Sequence, residues 1–151
     1  MELRAPTGGD RQAILAWRYP GRYSTYDFDD PSALDSDTWA VTEGGELIGY
    51  CCFGAPARVP GAEEEPGVLD VGYGLAPELM GQGLGPRFVA TILEFALDRH
   101  GPERVRLFVL DWNERSKRVA EGHGFAVEST LESDEGRFLV MARRGTGAPS
   151  L

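Results

Sequence analysis

The 151-residue chain predicts a single α/β (α+β) domain: a central mixed, mostly antiparallel sheet of about six to seven strands with helices packed on it. Three observations carry this. Short apolar segments bounded by Gly and Pro recur along the chain between segments of helical spacing. Two of the strand-like segments are joined by Gly44-Gly45, a hairpin turn, so that pair is antiparallel. The size is that of one domain, with a folded surface of roughly 7,500 Å² against roughly 24,000 Å² unfolded, so about 68% of the surface is buried and the core needs no staples.

Each element has its local reason. A strand is expected ahead of the first helix. Thr7 followed by Asp10 reads as a helix N-cap with an acidic first turn, and Ile14, Leu15 and Trp17 form the apolar stripe that runs on to Pro20. Residues 19–37 alternate aromatics with Asp, Pro and Ser, which fits a loop or short helical turns. Segments 38–43 and 46–53 are the hairpin strands, and the Pro-, Gly- and Glu-rich stretch 54–67 is a loop. Segment 68–75 is a strand, followed by a glycine loop through Gly81, Gly83 and Gly85. Pro86 suits a helix start, and the spacing of Phe88, Ile92 and Phe95 carries that helix to about His100, where Gly101-Pro102 ends it. Segment 104–110 is a strand, 114–123 a helix capped by Gly124, and 126–131 and 137–143 a strand pair around the turn 133–136. The domain is expected to span 1–144, with 145–151 a disordered tail.

Composition removes several function classes. The net charge is −9 and the sequence pI about 4.7, which argues against nucleic acid and anionic membranes as partners. All the excess acidity lies before residue 81, where five basic residues face fourteen acidic ones; residues 81–151 hold ten of each. That half is either a set of solvated loops or the half that meets a cation. Cys51 and Cys52 are adjacent, so on an extended segment they point to opposite faces, and with only His100 and His123 they make neither a disulfide framework nor a metal site. With no apolar signal core and no membrane-length apolar run, a cytoplasmic protein is expected.

The segment with most chemical content is 71–87, VGYGLAPELMGQGLGPR, which is a strand, a glycine loop and a helix start. Glycines let backbone amides approach an anion, and a helix start offers free N–H groups, so this is a phosphate cradle. A dinucleotide fingerprint needs Gly at position 86, where Pro stands, and a nucleotide P-loop needs Gly-Lys-Ser/Thr, which is absent.

The chain resembles the GNAT superfamily of acetyl-CoA-dependent N-acetyltransferases, whose Arg/Gln-x-x-Gly-x-Gly/Ala loop corresponds to Met80, Gly81, Gln82, Gly83, Leu84 and Gly85, with Met80 in place of the usual Arg or Gln. A second segment, DWNERSKRVAEGHGF at 111–125, is similar to the family's Asn-x-x-Ser…Gly-Phe element, and its serine resembles the branch of ribosomal-protein N-terminal acetyltransferases. The resemblance implies helices on both faces of the sheet and a splay between strands four and five that holds the pantetheine arm of acetyl-CoA. It assigns the pyrophosphate to Gly81, Gln82, Gly83, Leu84 and Gly85, the arm to the backbones of Tyr73 and Leu75 and to Asn113, and the 3′-phosphate to cations among Arg87, Arg115, Lys117 and Arg118. The Tyr73 amide is the implied oxyanion donor.

The catalytic pair many members use, a Glu on strand five and a Tyr on the next helix, falls here on Phe108 and Ala120, which can do neither task. Ser116 is the candidate acid, as cofactor contact and proton donor; Asp70 or Asp111 is the candidate water-mediated base, and Tyr50 a further phenol. The implied acceptor site, Trp17, Tyr23, Tyr26 and Asp27, mixes aromatics with carboxylate, the chemistry a cationic amine needs. The expected partners are a small-molecule amine or a peptide N-terminus, without metal, nucleic acid or membrane, and with a homodimer as an option. The rival reading is a catalytically weak acyl-CoA-binding module that senses CoA or holds a partner protein.

Overall fold

The computed structural model describes residues 1–34 and 37–145; two residues of the predicted 19–37 loop and the predicted tail from 146 onward lie outside them. Seven strands form one sheet: β1 (Glu2–Arg4), β2 (Thr38–Glu43), β3 (Glu46–Phe53), β4 (Val68–Leu75), β5 (Arg104–Leu110), β6 (Ala126–Ser133) and β7 (Gly136–Arg144). Their order is β1-β2-β3-β4-β5-β7-β6. Every pairing is antiparallel except β4 with β5. The predicted mixed, mostly antiparallel sheet is present, and the last hairpin is longer at both strands than its sequence pattern suggests.

Among the described residues three α-helices pack on the sheet. α1 (Gly8–Ala16) starts with a capping box: the Asp10 N–H donates to Thr7 Oγ1 at 3.0 Å and the Thr7 N–H to Asp10 Oδ2 at 2.8 Å. α2 (Gly85–His100) begins one residue before Pro86 and ends at Gly101 with φ of +53°. α3 (Glu114–Gly122) is capped by Asn113, whose Oδ1 accepts the Ser116 N–H at 3.1 Å. Between α1 and β2 the chain makes two short 3-10 turns, Gly21–Tyr26 and Pro31–Leu34. Among the described residues no helix is long and apolar enough to cross a membrane.

Strand periodicity divides the sheet into two chemically different faces. Val41, Cys51, Val71, Val105, Leu107 and Met141 join Phe88, Val89, Ile92, Leu93 and Ala96 of α2 and Ala120 of α3 in the main core. Ile14 of α1, Leu34, Ala40 and Cys52 are buried outside that cluster, so the two cysteines do point to opposite faces. On β4, Val71, Tyr73 and Leu75 share the α2 face, while Asp70, Gly72 and Gly74 share the other. The glycines are needed there: a Cβ on Gly74 would come within 2.6 Å of the Tyr50 ring, and one on Gly72 within 3.0 Å of Cys52 Sγ.

β4 and β5 pair over only three residues, Val68 with Arg104, Leu69 with Val105 and Asp70 with Arg106. Beyond that point β4 follows β3 to Leu75 and β5 follows β7 to Leu110, so the two strands part. The Gly54 N–H donates to the Asp70 carbonyl and the Ala76 N–H to the Ile48 carbonyl. In that alternating ladder, Tyr73 and Leu75 turn their backbone groups away from β3 and into the gap.

A buried ion pair sits at the fork. Asp70, 1% exposed, takes Arg106 Nε on Oδ1 at 2.6 Å and Arg106 Nη2 and Arg58 Nε on Oδ2 at 3.0 and 2.8 Å. Arg106 also reaches Glu65 Oε1 at 2.9 Å and the Glu63 carbonyl at 2.7 Å, so the 54–67 loop is tied to the last paired rung. Removing one partner of such a pair leaves a charge without compensation. Asp70→Asn is therefore expected to lower unfolding free energy by about 3–5 kcal/mol in a denaturant titration; a loss under about 1 kcal/mol would show the fork holds without it.

Candidate active site

The parting of β4 and β5 opens a cavity of about 670 Å³. Its walls are residues 71–75 of β4, 107–109 of β5, the glycine loop, the first turns of α3, and Tyr19, Tyr23, Tyr26 and Tyr50. The gap passes through the sheet, so the α2 and α3 face and the α1 face both border one space.

At one end lies the predicted anion cradle. Gly81 and Gly83 hold φ of +75° and +79°, backbone that favours glycine, and nothing lies within 4 Å of where a Gly83 side chain would begin. α2 has no side-chain cap, and its first bond runs from the Phe88 N–H to the Leu84 carbonyl. The amides of Leu84, Gly85 and Arg87 therefore have no helical acceptor, and Pro86 removes a fourth donor. Gly81, Gly83, Leu84 and Gly85 line the cavity, as do Arg115 and Arg118. Two other cradle candidates are engaged elsewhere: Gln82 donates to the Glu78 carbonyl at 2.9 Å, and Arg87 holds Glu43 at 2.7 and 2.9 Å.

The middle of the cavity brings Tyr73, Leu75, Asn113 and Ser116 together. Asn113 caps α3 through Oδ1, and its Nδ2 donates to Tyr26 Oη at 2.9 Å. The Leu75 carbonyl accepts the Tyr19 hydroxyl at 2.6 Å, so of that residue's two gap-facing groups only the amide is open. The side chain of Tyr73 runs to the α2 face, its ring edge-on to Phe88 with centroids 6.1 Å apart. Its hydroxyl is buried and makes no hydrogen bond. Burial pushes its pKa up to about 12, against the smaller opposing effect of the Ser116 hydroxyl beside it.

The other end is a tyrosine box. Tyr23 stands edge-on to Trp112 at 5.1 Å, and Tyr26 lies 6.4 Å from Tyr23 and 6.5 Å from Tyr19. Arg22 covers the Trp112 ring at 4.1 Å and Arg115 lies 5.7 Å from that of Tyr23, so the protein's own cations occupy two of these aromatic faces. Burial raises the pKa of Tyr19, Tyr26 and Tyr50, which keeps all three as neutral phenols. No Asp or Glu lines the cavity among the described residues. The carboxylates stand outside it: Asp27 and Glu78 act on Tyr19, and Glu135 acts on Tyr26.

Five predicted site residues lie outside the cavity lining: Gln82 and Arg87, whose side chains are engaged as above, and Trp17, Asp27 and Asp70. Trp17 packs on the Tyr50 ring at 6.5 Å and lies outside the lining. Asp27 accepts the Tyr19 N–H at 2.8 Å, a turn contact rather than an acceptor contact. Asp70, expected as a base, is placed at the fork outside the cavity lining, with both oxygens held by arginines, which places it as an ion-pair partner. Tyr19 and Trp112 are the residues that sequence reasoning passed over. Trp112 lies inside the second motif and Tyr19 inside the aromatic stretch that covers the expected acceptor end, but nothing local marks Tyr19 for the Leu75 carbonyl, 56 residues away.

The fold is shared with known proteins. The model of the acetyltransferase (GNAT) domain matches residues 1–126. A 101-residue alignment with thialysine N-epsilon-acetyltransferase of Bos taurus is 36% identical and covers 53% of this chain; it spans 58% of that relative's length. Among solved structures, AAC(6')-Ib in complex with ribostamycin and coenzyme A has a TM-score of 0.74 at 22% identity, over 94% of this chain and 92% of its own. A chimera of spermidine N-acetyltransferase SpeG from Vibrio cholerae and hSSAT has a TM-score of 0.76 at 17% identity, over 96% and 95%. At these identities the two structures speak for the fold, and the family model, which takes in the glycine loop, the fork and α3, speaks for descent: the chain belongs to the GNAT acetyltransferase family.

Proposed function

We propose that the protein transfers the acetyl group of acetyl-CoA to a primary amine, on a small cationic molecule or on a peptide or protein N-terminus. The observation that carries this is the gap itself, where the backbone of β4 turns unpaired donors into a channel that ends on the open amides of a glycine loop and helix start. The residues fit the cosubstrate. Gly81, Gly83, Leu84 and Gly85 would hold the pyrophosphate, Arg115 and Arg118 the outer phosphate, and the Leu75 amide and Asn113 the pantetheine arm. Bound there, acetyl-CoA supplies a thioester. The Tyr73 N–H stabilises negative charge on the thioester oxygen, a role in which one donor contributes about 3–4 kcal/mol. Ser116, in the first turn of α3, protonates the departing sulfur. The serine also supports the N-terminal acetyltransferase branch.

With no carboxylate in the cavity, the amine releases its proton through water, and the outer carboxylates Asp27, Glu78 and Glu135 draw the cationic form to the mouth. The relatives support an amine acceptor, being named for thialysine and spermidine. A second reading, an acyl-CoA-binding module, is favoured by the same lack of a base.

Thiol release from acetyl-CoA, followed across a panel of polyamines, amino sugars, lysine analogues and peptides, tests the assignment. Turnover with at least one amine is expected; tight CoA binding with no thiol release for any would establish the binding module. For the best acceptor, kcat/KM should rise with pH through that amine's own pKa, and its KM should rise with salt. A pH break that stays fixed across acceptors would instead reveal a base on the enzyme.

Gly83→Leu places a side chain in the cradle's open space. CoA affinity measured by calorimetry should fall by about 100-fold or more while the circular dichroism spectrum is kept, and unchanged affinity would remove the cradle assignment. Ser116→Ala should lower kcat by about 100-fold with CoA affinity nearly unchanged; an equal rate would remove Ser116 as the donor.

A further inference from the structure

The Tyr73 hydroxyl is the polar side-chain atom that stands out in the described structure, because it is buried and without a hydrogen bond. Leaving a phenol unpaired in the interior is unfavourable, and such a group calls for an explanation. Its place supplies one. Tyr73 lies on the unpaired part of β4, on the face that carries α2 and α3, it lines the same cavity as Ser116, and Ser116 and Tyr26 are the polar side chains that act on its phenol. The neighbours on β4 are Gly72 and Gly74, and Phe88 steadies the ring from α2.

We propose that Tyr73 is a positioning residue for proton delivery: its phenol donates to Ser116 Oγ and so turns the Ser116 hydrogen toward the sulfur that leaves. This rests on the reading of Ser116 as the donor. As the amine nitrogen bonds to the carbonyl carbon, the carbon–sulfur bond breaks and its electron pair stays on sulfur. The sulfur takes the Ser116 proton, Ser116 is reprotonated from water, and the amine's proton leaves to water. The phenol keeps its own proton throughout, as a group whose burial disfavours ionisation must. A hydroxyl that accepts one hydrogen bond is a stronger donor of the next, so the pair acts as a short cooperative chain. The described structure has no hydrogen bond at the Tyr73 hydroxyl, so the inference requires the bond to Ser116 to form in the complex with acetyl-CoA.

Tyr73→Phe keeps the ring and removes only the unpaired oxygen, so the fold should survive with an equal or higher melting temperature. Expected with it are an unchanged CoA dissociation constant, an unchanged KM for acetyl-CoA, and kcat lower by about 10- to 100-fold. Two readouts separate positioning from packing. In the Ser116→Ala background the Tyr73→Phe change should cost nothing more, and with p-nitrophenyl thioacetate, whose thiolate leaves without a proton, the Tyr73→Phe deficit should vanish. Wild-type kcat in Tyr73→Phe, multiplying deficits in the double variant, or an equal deficit with the activated thioester would each overturn the inference. Wild-type kcat in Ser116→Ala would overturn the donor assignment and this inference together. A slow Ser116→Ala beside a fast Tyr73→Phe would overturn the inference alone.

Discussion

The site depends on one constraint: β4 and β5 must be joined firmly at one end and not at all at the other. Two parallel strands of similar length would ordinarily pair along their whole extent, because an unpaired backbone donor in the interior is unfavourable. Here the pairing stops at Asp70 and Arg106, where a carboxylate buried between two arginines fixes the last rung and draws a Glu-rich loop down onto it. Past that rung each strand is held on its outer side, by β3 and by β7, and the inner edges are left free.

Those free edges turn a sheet into a binding device. The amides of Tyr73 and Leu75 have lost a strand partner, so a ligand with carbonyl or amide groups can take the place of the missing strand. The same opening gives two faces access to one space: α2 and α3 bring amides, arginines and Ser116 from one side, and the 3-10 turn Gly21–Tyr26 brings a box of phenols from the other. Several of these side chains are already fixed by contacts within the protein. Asn113 is held by Ser116 and Tyr26, Tyr19 by Leu75, and Tyr23 by Trp112. Positions held in this way need little reordering when a ligand enters.

Legibility in the sequence followed the distance of the interactions involved. The capping box at Thr7, the Gly44-Gly45 hairpin and the glycine loop rest on contacts within a few residues, and all were readable as patterns, whereas the capping role of Asn113 emerged from the structure. The opposite burial of Cys51 and Cys52 followed from strand periodicity alone. Asp70, Trp17 and Asp27 were readable as chemistry but not as location. A carboxylate on a strand next to a gap serves as a base or as an ion-pair partner according to what stands across from it, and Arg58 and Arg106 lie 12 and 36 residues away.

The net charge of −9 shows the same division. Its concentration before residue 81 is a property of the sequence, and so are the strand and helix order and the two motifs that mark the family. Only the tertiary structure decided that none of those carboxylates among the described residues enters the cavity, and that the Tyr73 phenol is buried without a hydrogen bond on the wall it shares with Ser116. Local patterns arise from periodicity and from hydrogen bonds between near neighbours, which the order of residues determines directly. A side chain's partner across a sheet is set by register and packing, and these exist only once the whole chain has folded.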